Sequence, residues 1–380
     1  MLKRTAKKDI FLIVILFLVT RAALSFIGIY SRNTLSPKYE GWYEWNYSNN
    51  KFLDIWGSWD TGWYLDIAEN GYSSTMVSSL PKKTCCGQNN FGFFPLYPLL
   101  IKYFNFLFHD FFLTGLFISN LFLILSGYML YKLVGIVSDK FTARNAVFYL
   151  FAFPTSFILS GVYSESLFLF LAISSFYFAE REKWPLVGVS GFFLSLTKSS
   201  GVLILIPLII KFLIDNRLYL RKMLSDAFPL LLIPTGLFTF MLFSLFNTGN
   251  PLYYAQIKSS AWQVALSDPF EITFKIFKEG KKYFYFIGLF IASGAALLPL
   301  IYKLLTAPYL IYSVMLFLLP LMSGVEAATS SPRHAVLIFP IYIALAKISK
   351  NSYFNLFLIL ILVIAQAYFM YYYSSGVLVR

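Results

Sequence analysis

Apolar residues run through this chain in stretches of roughly twenty, broken by short polar islands rather than by the alternation of a half-buried strand. The segments IFLIVILFLVTRAALSFIGIY (10–30) and YFNLFLILILVIAQAYFMYYY (353–373) are each long enough to cross a hydrocarbon core of about 30 Å as a helix. Between them the pattern predicts spans over 111–137, 145–161, 165–180, 185–198, 201–214, 227–246, 283–302, 304–322 and 335–348, about eleven in all. FFPLYPLLIKYFNFLF (93–108) is apolar but holds two prolines, and reads as an interfacial helix or a kinked extra span. No repeat of fixed period, low-complexity tract or Gly/Ser linker divides the chain. Residues 1–380 therefore read as a single all-α polytopic membrane domain.

Composition sharpens that picture. The chain is 58% hydrophobic and 20% aromatic but only 13% charged, against about a quarter charged in soluble domains. A net charge of +13 would suggest nucleic acid in a soluble protein. Here it follows from the positive-inside bias, and no nucleic-acid partner is expected. With the N-terminus inside, the cytoplasmic segments hold 16 Lys and Arg against 6 acids, and the other side 15 against 12. MLKRTAKKDI and the long apolar run behind it read as a retained first span rather than a signal peptide. This orientation places loops 31–92, 247–282 and 323–334 outside the cytoplasm. Cys85 and Cys86 are adjacent, which rules out a long-range disulfide framework, and with only two histidines a His/Cys zinc site is not expected.

The polar islands collect on that outer face. WDTGWYLDIAENGY (59–72) carries Asp60, YSES (163–166) carries Glu165, and LTKSSG (196–201) carries Lys198. ATSSPRH (328–334) carries Arg333 and His334, and Arg21 lies toward the outer end of the first span. A charged side chain at membrane depth costs at least a few kcal/mol, so each invites a functional explanation. Plainer explanations stand beside it. Asp60 could cap a helix over 61–69 closed by Gly71, and Glu165 could cap the span that follows it. Lys198 and Arg333 could snorkel to headgroups, Arg21 could pair with another span, and His334 decides nothing alone. Trp59, Trp63, Tyr64 and Tyr72 belong in part to an interfacial aromatic belt.

A carboxylate among aromatics, with cations at headgroup depth, suits transfer of a sugar from a lipid phosphate to a hydroxyl. The carboxylate takes the acceptor's proton and the cations stabilise the departing phosphate. Inversion would set base and phosphate on opposite sides of the sugar. The chain has no Asp-x-Asp motif, P-loop or dinucleotide fingerprint, so neither a divalent metal nor a cofactor is expected. A transporter of a lipid-linked saccharide would share many of these features, but should bind near the midplane between repeated halves, and no internal repeat is visible. A non-catalytic subunit of a transferase complex is the remaining alternative.

In order along the chain, WDTGWYLDIAENGY, FGFFPLYPLL (91–100), SGVYSESLFLFLA (160–172), LTKSSGVLILIP (196–207) and SSPRHAVLIFPIYIALA (330–346) resemble motifs of the PIG-V family. These are the GPI mannosyltransferase II enzymes and their prokaryotic relatives in the GT-C glycosyltransferase superfamily. The resemblance implies a GT-C-type fold with a large first extracytoplasmic loop and an inverting mannosyl transfer. Polyprenyl- or dolichyl-phosphate-mannose would be the donor, and a glycan or glycolipid the acceptor, in contact with membrane lipids. It implies Asp60 as the catalytic acid residue with Glu165 at the family's Ser-Glu turn. Arg333, Lys198, Arg21 and His334 would serve the donor phosphate, although the family more often has arginine at the position of Lys198. Trp59, Trp63, Tyr64, Tyr72, Tyr97 and Tyr163 would contact substrate. The active face would lie outside the plasma membrane in a prokaryote and in the ER lumen in a eukaryote.

Overall fold

The structure, a computed structural model, describes residues 2–35 (2–7 as backbone), 46–73, 88–216, 227–280, 294 and 305–376. The predicted span over 283–302 (294 apart), the Cys85-Cys86 pair and the basic residues Arg217, Arg221 and Lys222 lie outside the described residues. Every regular element among the described residues is helical.

Four helices are long and apolar enough to cross a membrane: Lys8–Thr34, Phe111–Val137, Phe228–Thr248 and Ser352–Ser374. Phe11, Val19 and Phe26 on the first, and Phe357, Leu360 and Ile364 on the last, stand exposed. Such a surface matches lipid tails and would be penalised in water. The chain is an integral membrane protein.

The other predicted spans are shorter or interrupted. Over 145–161 the helix Lys140–Ala152 stops at Phe153, whose extended backbone (φ −60°, ψ 139°) precedes Pro154. A residue before proline avoids the helical region, and proline brings no N–H. The chain resumes as the 3-10 turn Ser156–Ser160. Over 201–214 a 3-10 segment, Ser199–Ile204, leads into the helix Leu205–Asp215. The expected span 335–348 is two pieces, Ser331–Ala335 and Pro340–Ile348, the second opening with Pro340 at its first position. Residues 93–108 form the nine-residue helix Leu96–Phe104 and a 3-10 turn. At about 1.5 Å per residue that helix is too short to span, and the interfacial alternative fits it.

The breaks are satisfied from inside the bundle. Arg21 Nη1 donates to Ser156 O (2.9 Å) and Ser160 Oγ (3.0 Å), and Nη2 to Phe151 O and Ser156 Oγ (both 3.0 Å). Gln366 Nε2 joins from the last helix, donating to Phe151 O (2.8 Å) and Phe153 O (3.0 Å). Carbonyls freed where the helix unwinds thus find donors in an environment without water. This corrects the expectation for Arg21. Its guanidinium serves the break at Pro154 rather than a donor phosphate.

Successive helices alternate in direction, which segregates the polar ends. At one end Asp9 accepts from Arg144 (2.7 Å) and Tyr131 (2.6 Å), while Lys211 pairs with Glu180 and Asp215 (both 3.0 Å). Helix Glu165–Glu180 carries Glu180 to that end and Glu165 to the other. The first loop is folded back onto the bundle at the Glu165 end. Asp54 accepts Tyr47 N–H (2.7 Å) and pairs with Arg32, and Asn90 Nδ2 donates to Asp66 Oδ2 (2.8 Å).

Replacing Arg21 by Met should lower the melting temperature of the detergent-solubilised protein, at about 1–3 kcal/mol for each carbonyl left without a donor. Its affinity for lipid phosphate should not change. Weaker lipid-phosphate binding at an unchanged melting temperature would return Arg21 to the phosphate site.

Candidate active site

Asp60, Glu165, Lys198 and Arg333 each sit at or beside the end of a helix. Asp60 precedes helix Thr61–Asn70, but its carboxylate makes no capping hydrogen bond. Trp59 beside it has φ +47°, a left-handed conformation that costs a side-chain-bearing residue energy and tends to mark functional turns. Glu165 is the first residue of its helix, where the backbone dipole favours a negative charge. Lys198 follows helix Trp184–Thr197, where the dipole favours a positive one. The chain then doubles back so tightly that a Cβ on Gly201 would meet Leu194 O at 2.3 Å, so only glycine fits the turn. Arg333 lies on the single-turn helix Ser331–Ala335, fixed through Pro332 O, which accepts from Thr155 Oγ1 at 2.8 Å.

These four side chains form one ladder of alternating charge. Arg333 Nη1 bonds Asp60 Oδ2, Arg333 Nε bonds Glu165 Oε1, and Lys198 Nζ donates to the same Glu165 oxygen at 2.7 Å. The Arg333 guanidinium also lies over the Tyr163 ring, 4.7 Å from its centre. Burial alone would lower the pKa of Arg333, but Asp60 and Glu165 outweigh it and raise it well above the usual value. The carboxylates differ in access. Glu165 is fully buried, whereas the Asp60 side chain is 25% exposed. Asp60 can meet a substrate; Glu165 is sealed beneath the two cations and aligns them. It was expected beside Asp60 as a catalytic residue; its side chain is fully buried and bound to both cations. Asp60 Oδ1, Arg333 Nη2 and the remaining Lys198 protons have no hydrogen-bond partner among the described residues.

His334 departs from expectation. Its Nδ1 lies 3.0 Å from Ser330 O, and since a carbonyl only accepts, Nδ1 carries the proton. Burial and the nearby Lys198 push its pKa down to about 4. The imidazole is neutral at pH 7, and Nε2 offers a lone pair. It supplies no positive charge to a phosphate.

The aromatic residues divide in the same way. Tyr97 is fully buried and donates to Gly115 O (3.0 Å), so it is core rather than substrate contact. Tyr163 donates to Ser58 O (2.9 Å), Tyr72 donates to Phe93 O (2.8 Å), and Tyr64 bonds Ser164 Oγ (2.8 Å). The Tyr163 and Tyr64 hydroxyls hold the first loop to the bundle, and that of Tyr72 ties the end of helix Thr61–Asn70 to the segment after the loop. Trp63 stacks on Phe93 with centroids 5.7 Å apart, and meets the edge of Trp262 at the same distance. Trp59 stays half-buried beside Asp60. Trp262 belongs to helix Tyr253–Trp262 of the second outer loop. That helix also carries Lys258, which is electrostatically coupled to Lys198, Asp60, Arg333 and Glu165. Sequence reasoning passed over Lys258. Its one local signal is a basic residue one helical turn before a tryptophan.

No family model matches the chain, and no curated protein matches it. Solved structures do. ArnT from Cupriavidus metallidurans, bound to undecaprenyl phosphate, is similar over 92% of this chain and 62% of its own, with a TM-score of 0.54 and 14% identity. The Archaeoglobus fulgidus oligosaccharyltransferase tethered to an acceptor peptide is similar over 95% of this chain and 55% of its own, with a TM-score of 0.44 and 15% identity. The same archaeal protein in complex with an inhibitory peptide and a dolichol-phosphate gives 0.43 at 14% identity. The chain thus spans 55–62% of the length of these structures. At such identity the likeness is one of fold, carried by the ArnT match. The fold is of the GT-C glycosyltransferase type.

Replacing Glu165 by Gln leaves Arg333 and Lys198 without their shared counter-charge. It should cost about 3–5 kcal/mol, read as a large fall in melting temperature. Asp60→Asn, at the open end of the ladder, should shift the melting temperature far less. Equal shifts would contradict the burial difference.

Proposed function

We propose that the protein is an inverting membrane glycosyltransferase that moves a sugar from a polyprenyl- or dolichyl-phosphate donor to a hydroxyl of a lipid-linked or cell-surface glycan. The observation that carries this reading is the ladder itself. A partly exposed carboxylate is held by a cation that keeps a free edge, beside a second cation, at one end of a GT-C-type bundle. The fold contributes an analogy only, because one fold can host many activities.

In the proposed reaction the acceptor hydroxyl approaches Asp60, which removes its proton as the oxygen attacks the anomeric carbon. The bond from that carbon to the phosphate oxygen breaks, and its electron pair leaves with the lipid phosphate. Arg333 Nη2 and Lys198 meet the phosphate oxygens through charge-assisted hydrogen bonds, strengthened where water is scarce. Arg333 faces the base with Nη1 and presents Nη2 to the leaving group, so one guanidinium can set their spacing. Charge on the leaving group is met by side chains, and the mechanism asks for no divalent metal. Mannose as the sugar rests on the PIG-V resemblance. The ladder end is taken to face the exterior of a prokaryotic plasma membrane or a eukaryotic ER lumen, with 1–380 working as one domain. A transporter is disfavoured because the polar groups gather at one end of the bundle rather than at its middle.

Asp60→Asn should reduce transfer from polyprenyl-phosphate-mannose in isolated membranes by about 10²–10⁴-fold while the protein stays folded. A wild-type rate in that variant would remove Asp60 as the base. Lys198→Ala should raise the apparent KM for donor more than that for acceptor. An unchanged donor KM would take Lys198 out of the phosphate site.

A further inference from the structure

Counting Lys258, three cations and two carboxylates make up the ladder and the cation coupled to it. Arg333 is bound to both carboxylates and Lys198 to one. The Lys258 ammonium has no hydrogen-bond or ion-pair partner among the described residues, yet Lys258 is half-buried and within electrostatic reach of all four ladder groups. Its helix is held over the site at three points. Ile257 is buried, Tyr253 OH accepts from Asn89 Nδ2 (2.9 Å), and Trp262 packs on Trp63 and Phe93 (both 5.7 Å). Trp63 is on the helix that Asp60 begins, and Lys258 lies one turn before Trp262, so both fall on one face. Among the described residues this half-buried ammonium has no counter-ion, which costs stability, and Lys258 with the ladder makes three positive groups to two negative ones.

We propose that Lys258 is a donor-binding residue, whose ammonium takes an oxygen of the lipid phosphate and thereby completes the charge balance of the site. This rests on the glycosyltransferase reading and adds the second outer loop to it. Within these five groups it also favours one substrate class. One excess charge is matched by the single negative charge of a sugar phosphodiester, whereas a diphosphate-linked donor brings two. The electrostatics agree. Burial and Lys198 push the Lys258 pKa down to about 8, against the opposing pull of Asp60. An arriving phosphate relieves that strain and raises it again.

The test is binding of undecaprenyl phosphate to the purified full-length protein in detergent, for wild type, Lys258→Met and Lys258→Arg, with melting temperatures measured alongside. Lys258→Met should weaken binding at least about tenfold and should raise the ligand-free melting temperature by removing an uncompensated charge. Lys258→Arg should bind as wild type. Binding by wild type with equal affinity in Lys258→Met would overturn the role of Lys258 and leave the glycosyltransferase reading standing. A fall in ligand-free melting temperature in Lys258→Met would also overturn it, by showing that the ammonium is already compensated. No binding by wild type, with no sugar transfer, would overturn both.

Discussion

Glu165 is a carboxylate from which water is excluded, and much of the outer end of this bundle follows from that. An isolated buried charge costs far more than a fold can sustain, so it must find cations. Two arrive from distant parts of the chain, Lys198 from the end of one helix and Arg333 from a single turn between two others. Lys198 stands where helix Trp184–Thr197 stops, and Arg333 lies on the short helix Ser331–Ala335, after which residues 336–339 leave the helical path. Asp60 is then captured by the outer edge of Arg333, which fixes the first loop against the bundle. A carboxylate presented with one oxygen open is the consequence of satisfying the buried carboxylate behind it.

Two buried arginines show how partners decide a role. Arg21 gives its Nη protons to carbonyls and serine hydroxyls around the break at Pro154, and none to a carboxylate. Arg333 gives Nε and Nη1 to carboxylates and keeps Nη2 uncommitted. The first closes an account of backbone groups that a membrane would otherwise penalise. The second leaves a cationic edge available to an anion. Both are arginines within apolar sequence, and only the three-dimensional neighbours separate them.

That contrast explains what the sequence could tell. The first and last spans and 111–137 were legible because their hydropathy is uninterrupted. The breaks inside 145–161 and 335–348 were hidden because Phe153-Pro154 and Phe339-Pro340 are as apolar as their surroundings. Asp60, Glu165, Lys198 and Arg333 stood out as charges in greasy segments, although their meeting could be inferred only from a shared membrane face. The separate parts of Asp60 and Glu165 were not legible, because burial depends on packing and leaves no local mark. The surroundings of His334 and Tyr97 were hidden for the same reason, one buried near Lys198 and the other sealed in the core. Lys258 escaped because a lysine in a polar loop is ordinary; its meaning comes from the fold of that loop over the site.

The most direct measurement is an experimental structure of the protein with undecaprenyl phosphate bound. The account predicts the phosphate within hydrogen-bonding distance of Arg333 Nη2 or Lys198 Nζ, with Asp60 Oδ1 facing an open approach beside it. A phosphate seated at the opposite end of the bundle, by Asp9 and Arg144, or one that leaves Arg333 and Lys198 untouched, would contradict it.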